Sequence, residues 1–169
     1  NKTFLTPYEY KPIKIDLTRE ELNDYNELTK KIIQNFHMKK NETENDSIKK
    51  LIFKRRNIIN NAFNKYEALR NTLKKLTHKE HLIIYCSDKQ MDKVLEIIKE
   101  EGFSGHKFTQ KENPKQLKKY DGKSERERIL KSFDNTNYQV LVAMKCLDEG
   151  VDVPSADQVI IMSSTTNPI

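Results

Sequence analysis

Glycine and proline are scarce, at 4 and 5 of 169 residues, which excludes a collagen-like repeat or a Gly/Ser linker and leaves a chain expected to fold. Cysteine is scarcer still. Cys86 and Cys146 stand far apart in no paired-ligand spacing, so neither a disulfide framework nor a zinc site is indicated. Buried, inert thiols in a reducing cytoplasm are the expectation. No apolar run approaches the ~20 residues that span a bilayer, and the start of the chain has no signal-peptide core, so a soluble protein is expected. No internal repeat is visible. What the chain does have is charge: 33% of its residues are charged, with Lys+Arg 31 against Asp+Glu 25 and a formal net charge of +6. That balance favours an anionic partner such as nucleic acid or nucleotide, although Lys-rich helices also serve as solvated faces. The length suits one compact domain with a helical appendage.

The pattern along the chain divides in two. Ile13, Ile15 and Leu17 alternate with Lys14 and Asp16, the period of a half-buried strand. Thr18 and Glu21 then have the spacing of a capping box, opening a helix with the apolar stripe Leu22, Tyr25, Leu28, Ile32 and Phe36. Residues 39–46 lack an apolar anchor and predict an exposed turn. A second long helix is predicted over residues 47–76, antiparallel to the first, with Ile48, Leu51, Ile52, Ile58, Ile59, Ala62, Tyr66, Leu69 and Leu73 at helical spacing. Beyond His81 short apolar strands alternate with amphipathic helices, the signature of a parallel sheet with crossover helices. Strands are predicted at residues 82–85, 106–109, 140–143 and 158–162. Ser87 with Gln90, and Ser124 with Glu127, repeat the capping-box spacing, and Gly102 can end the helix between.

Residues 140–160, VLVAMKCLDEGVDVPSADQVI, carry a strand into an acidic, Gly-containing loop that ends at proline before another strand. Ligands gather at the carboxyl ends of strands in open parallel sheets, so this loop is a candidate working surface. A plain turn with solvated acids accounts for the same residues. The run resembles motif V of superfamily 2 helicases, EGxDxP, at Glu149, Gly150, Asp152 and Pro154. LIIYCSD at 82–88 resembles motif IV, and YDGKSERERILKSF at 120–133 resembles the next family segment. The opening, FLTPYEYKPIKIDLTREELNDYNEL, and the stretch LIFKRRNIINNAFNKYEAL are similar to the branch containing restriction-enzyme motor subunits and DNA-repair helicases.

That resemblance implies an α/β fold, a RecA-like C-terminal motor domain with a parallel sheet, preceded by a long α-helical hairpin. It divides the chain into a lead-in from a first motor domain at 1–17, a hairpin insert at 18–78, and a RecA-like domain at 79–169 that stops before the arginine-bearing motif VI. It implies an ATP-dependent helicase or translocase that uses ATP and Mg2+, held mainly by the first RecA-like domain of the same protein, on a nucleic-acid track, DNA favoured. This portion alone would not turn over ATP. Glu149, Gly150 and Asp152 would couple the nucleotide cleft to the track, and Cys86, Ser87, Met144, Lys145 and Cys146 would face nucleic-acid phosphate. Met144 departs from the family's usual threonine or serine, so backbone donors would have to serve there. The alternative is a non-catalytic nucleic-acid-binding module of the same fold.

Other patterns are decoys. Gly122, Lys123 and Ser124 spell the end of a P-loop, but the required earlier glycine falls at Leu117. Glu9 and Lys11 form a nuclease-like E-x-K with no acidic partner upstream. His78 and His81 lack further clustered ligands and read as surface histidines. Lys49, Lys50, Lys54, Arg55 and Arg56 make a basic face on the second helix, either solvated or phosphate-facing. Tyr25, Phe36, Phe53, Phe63 and Tyr66 are expected in the hairpin core, and residues 107–119 as a solvated basic loop.

Overall fold

The structure, a computed structural model, describes residues 8–37, 42–109, 124–144, 153 and 155–163, with only the backbone at 42–45. Residues 8–18 belong to no helix and pair with no strand among the described residues. The expected alternation holds only in part: Ile15 and Leu17 are half-buried while Lys14 and Asp16 face solvent, but Ile13 is 57% exposed. Alternation specifies an extended backbone, however, and not a neighbour. Side chains hold this lead-in instead: Asn64 Nδ2 donates to Asp16 O at 2.8 Å.

The first capping box forms as expected. Thr18 N–H donates to Glu21 Oε2 at 2.9 Å and Glu21 N–H donates to Thr18 Oγ1 at 3.2 Å, opening α1 (Arg19–His37). Helix α2 (Glu42–Asn60) runs back along it, so the hairpin is present. Part of the predicted turn is therefore helical, because acidic residues suit the first turn of a helix even without an apolar anchor. Ile32 and Ile48 are buried in the seam. Arg55 lies over the Tyr25 ring at 5.4 Å and donates to Thr29 Oγ1 at 3.3 Å.

The predicted second helix is in fact two. It breaks at residues 61–63 and resumes as α3 (Asn64–Lys75). At the break Asn61 Nδ2 donates to Asn57 O at 2.8 Å, a local side-chain bond of the kind that competes with helical hydrogen bonding. Asn60, Asn61 and Asn64 were the signal for it. Ala62, 2% exposed, is pressed inward by the bend, and α3 then packs by Leu69 and Leu73 on the sheet.

Four strands, β1 (Leu82–Tyr85), β2 (Gly105–Phe108), β3 (Val140–Ala143) and β4 (Gln158–Ile161), form a fully parallel sheet in the order β2-β3-β1-β4. The strand predicted at 106–109 lies one residue earlier, at Gly105–Phe108, and the last strand ends one residue sooner than predicted, at Ile161. A single 3-10 turn (Asp88–Gln90) leads into α4 (Met91–Glu100), and α5 (Glu125–Asp134) precedes β3. Alternate strand residues face opposite layers. Leu82, Ile84, Val140 and Val142 pack with α3 and α4, while Ile83, Leu141, Ala143 and Phe108 pack with Ile129 and Phe133 of α5.

Gly102, at φ +82°, ends α4. Its N–H donates to Lys99 O at 3.1 Å and Phe103 N–H reaches Ile98 O at 2.8 Å, the paired bonds of a Schellman cap, with Phe103 buried beside Ile98. Ion pairs tie α3 to α4, with Arg70 Nη2 2.5 Å from Glu100 and Nη1 3.6 Å from Glu101.

Candidate functional site

Because all four strands are parallel, their carboxyl ends lie on one edge, where Cys86, Thr109, Met144 and Met162 stand one residue past their strands. Of the expected site residues, Lys145, Cys146, Glu149, Gly150 and Asp152 lie outside the described residues. Their flanks are described. Met144 packs on the α3/α4 side, and Val153 packs on the α5 side and accepts from Ala156 N–H at 3.1 Å.

The structure brings Cys86, Ser87 and Met144 to this edge and gives their backbone donors internal partners. Cys86 N–H donates to Ala143 O at 3.1 Å, Met144 N–H to Phe108 O at 3.3 Å, and Ser87 N–H to Gln90 Oε1 at 3.1 Å. The Cys86 thiol is buried, and that burial, with the Asp88 carboxylate as a second cause, pushes it up to about 12. It is a packing group and not a nucleophile. Ser87 is half-buried, and its hydroxyl donates to Asn61 Oδ1 at 2.5 Å. Gln90 is fully buried, and its Nε2, like the hydroxyl of buried Ser163, has no hydrogen-bond partner among the described residues.

The base of the hairpin meets this edge. Lys65 Nζ donates to Asn60 O at 3.1 Å and to Met162 O at 2.5 Å, and burial lowers its pKa. Glu21 Oε1 accepts from Phe63 N–H at 2.9 Å. Sequence reasoning missed Asn61 and Lys65, which it had placed inside a continuous helix. The asparagine cluster was the only hint.

On the outer side of α2 the expectation of a buried aromatic core holds for some rings only. Tyr25 and Tyr66 are half-buried, but Phe53 is 64% exposed, Phe63 66% and Phe36 49%. The stripe Ile48, Leu51, Arg55 and Ile58 takes the inward direction, and a helix turning 100° per residue leaves Phe53 on the opposite face. Lys49, Lys50, Asn57 and Arg56 are its neighbours at three and four residues' spacing, so an aromatic ring sits within a basic surface.

The decoys resolve by geometry. Ser124 N–H donates to Glu127 Oε2 at 2.7 Å and Glu127 N–H to Ser124 Oγ at 3.1 Å, so this serine caps α5. Glu9 and Lys11 pair with each other at 3.1 Å on the surface. His78 is exposed, whereas His81 is largely covered, edge-on to Phe133 at 5.4 Å, and both stand 3.7 Å from Asp157. Lys107 belongs to β2 and pairs with Asp92 at 2.6 Å, so the basic tract begins inside a strand; residues 110–119 lie outside the described residues. Among the described residues no cluster of His, Cys, Asp or Glu could hold a metal ion, and no helix is long and apolar enough to cross a membrane.

Residues 64–169 match the family described as the helicase conserved C-terminal domain. The chain is 30% identical over 176 aligned residues to the DNA 3'-5' translocase XPB2 of Sulfurisphaera tokodaii, covering 94% of this chain but only 37% of that protein. It thus spans little more than a third of that relative's length. In fold it is similar to the C-terminal domain of the SWI2/SNF2 ATPase of Sulfolobus solfataricus, with a TM-score of 0.63 and 18% identity over 86% of this chain and 68% of that one. It is also similar to the C-terminal domain of the DEAD-box protein Dbp5, with a TM-score of 0.50 and 20% identity over 64% of this chain and 55% of that one. The parallel sheet, its strand ends gathered on one edge, and the family match together place the chain: it belongs to the helicase conserved C-terminal domain family, with the RecA-like fold of superfamily 2 helicases.

Proposed function

We propose that this chain is the second motor lobe of an ATP-dependent translocase or helicase acting on nucleic acid, with DNA the favoured track. The observation that carries this reading is the family match over residues 64–169 together with the likeness to a protein named as a DNA translocase. In this reading residues 1–17 lead in from a first lobe, the hairpin follows, and the RecA-like lobe includes α3, which packs on the sheet. The first lobe would hold most of the ATP and Mg2+, whose chemistry is phosphoryl transfer to water. Glu149, Gly150 and Asp152 would relay the state of the cleft, while Ser87 and Lys145 would meet track phosphates. At Cys86 and Met144 the N–H groups already have partners, so their part is to shape the edge; Cys146 would do the same. The exposed Phe53, with Lys49, Lys50 and Arg56 around it, supplies a second contact in which a base stacks on the ring while cations meet the backbone.

The same hairpin surface would serve a non-catalytic binding module, and hydrolysis separates the two readings. In the complete protein, ATPase activity should rise on adding DNA, and a bound roadblock should be displaced from it. Asp152→Ala should abolish displacement while leaving the melting temperature unchanged. Wild-type displacement by that variant would overturn the assignment of the loop, and a complete protein without nucleic-acid-dependent hydrolysis would overturn the motor.

A further inference from the structure

We propose that the α2–α3 junction is a latch through which the helical hairpin senses whether the loop after β1 holds a phosphate. The inference rests on the reading of Ser87 as a track contact. It begins from the orientation of one amide. Asn61 gives its Nδ2 to Asn57 O at 2.8 Å, which fixes Oδ1 as the atom facing Ser87. Ser87 must therefore be the donor in the 2.5 Å contact, and a hydroxyl has one proton to give. A phosphate oxygen is also purely an acceptor. Asn61 and a track phosphate thus compete for the same proton, and only one can have it.

The competition matters because Asn61 sits where the hairpin joins the lobe. Around it, Lys65 ties Asn60 O to Met162 O past the end of β4, and Glu21 of α1 holds Phe63 N–H. The Ser87–Asn61 bond is the tie from this junction to the loop after β1. With the hydroxyl turned to a phosphate, the junction keeps its bonds to β4 and α1 but loses its bond to the loop after β1, so the hairpin's docking is loosened at that loop. Linkage makes the effect reciprocal: whatever holds the hairpin against Ser87 weakens the track at that loop, and the track weakens the hairpin's docking by the same factor.

The test uses the complete protein and a fluorescein-labelled single-stranded DNA oligonucleotide, with affinity read by anisotropy for wild type, Asn61→Ala, Ser87→Ala and the double variant. Removing the competitor should tighten binding about three- to tenfold in Asn61→Ala, the scale of one net hydrogen bond. Ser87→Ala should weaken binding, and adding Asn61→Ala to it should change nothing further, because the coupling runs through the Ser87 proton. A merely structural asparagine would shift affinity equally in both backgrounds, and that result overturns the latch. As a second readout, amide exchange across residues 57–66 should rise when the oligonucleotide binds wild type; an unchanged rate overturns it too. If Ser87→Ala weakens binding but Asn61→Ala is neutral, the latch alone fails. If Ser87→Ala binds as wild type does, the reading of the loop fails and the latch with it.

Discussion

A thiol raised to about 12 binds its proton more tightly in the folded chain than in the unfolded one, whose ordinary value is 9.0. The stability this contributes is complete below pH 9 and is lost as pH rises from there towards 12, because only the unfolded state ionises in that window. Cys86 should accordingly resist iodoacetamide at pH 8 in the native protein and react at once in denaturant; mass spectrometry of the tryptic peptide checks it. Phe53 is the opposite case, a large ring left in water. Phe53→Ala should leave stability within ~0.5 kcal/mol of wild type and weaken single-stranded DNA binding by about 1–3 kcal/mol, as measured by titration. The burial of Cys86 was legible from its place beside a strand. The exposure of Phe53 was not, since a chain with apolar residues on several sides of α2 does not announce which side turns inward. Nor was the role of Asn61, which depends on the orientation of one side-chain amide.

At the level of elements, the capping boxes at Thr18 and Ser124 were plain in the sequence because both partners lie within one turn. The break before α3 was not, because apolar spacing continues across it and only local asparagine bonding interrupts the helix. Glu21 shows how a cap becomes a tertiary tie. Burial pushes its carboxyl up, but hydrogen bonds from Thr18 and Phe63 N–H and from the Thr18 hydroxyl outweigh this and hold it below the usual 4.5. A lowered folded value means stability present above that pH and lost as pH falls through it. Thermal melts should therefore show wild type more stable than Glu21→Gln near neutrality, with the gap closing on acidification below pH 4.5. A gap that stayed constant down to pH 3 would deny the carboxylate this part.

For the whole molecule, alternating strands and helices gave the parallel sheet, and the motif strings gave the family, but the site was only partly legible because its coupling passes through contacts between distant segments. Net charge is the property that acts at this scale. If phosphates dominate the grip, log affinity for DNA should fall linearly with log salt concentration, by about 0.7 per phosphate neutralised on a single strand. A flat salt response would point to a different kind of partner. The strand order has a consequence for how the chain acquires its shape. Leu82 of β1, the earliest strand, pairs with Val140 on one side and Gln158 on the other, so the sheet's middle is made long before its neighbours. On a ribosome the hairpin can close as soon as it emerges, from neighbouring segments alone, while β1 must wait unpaired for most of the remaining synthesis. Refolding should accordingly be biphasic, with helix content returning first and sheet closure following slowly, and chaperone demand falling on the interval between them.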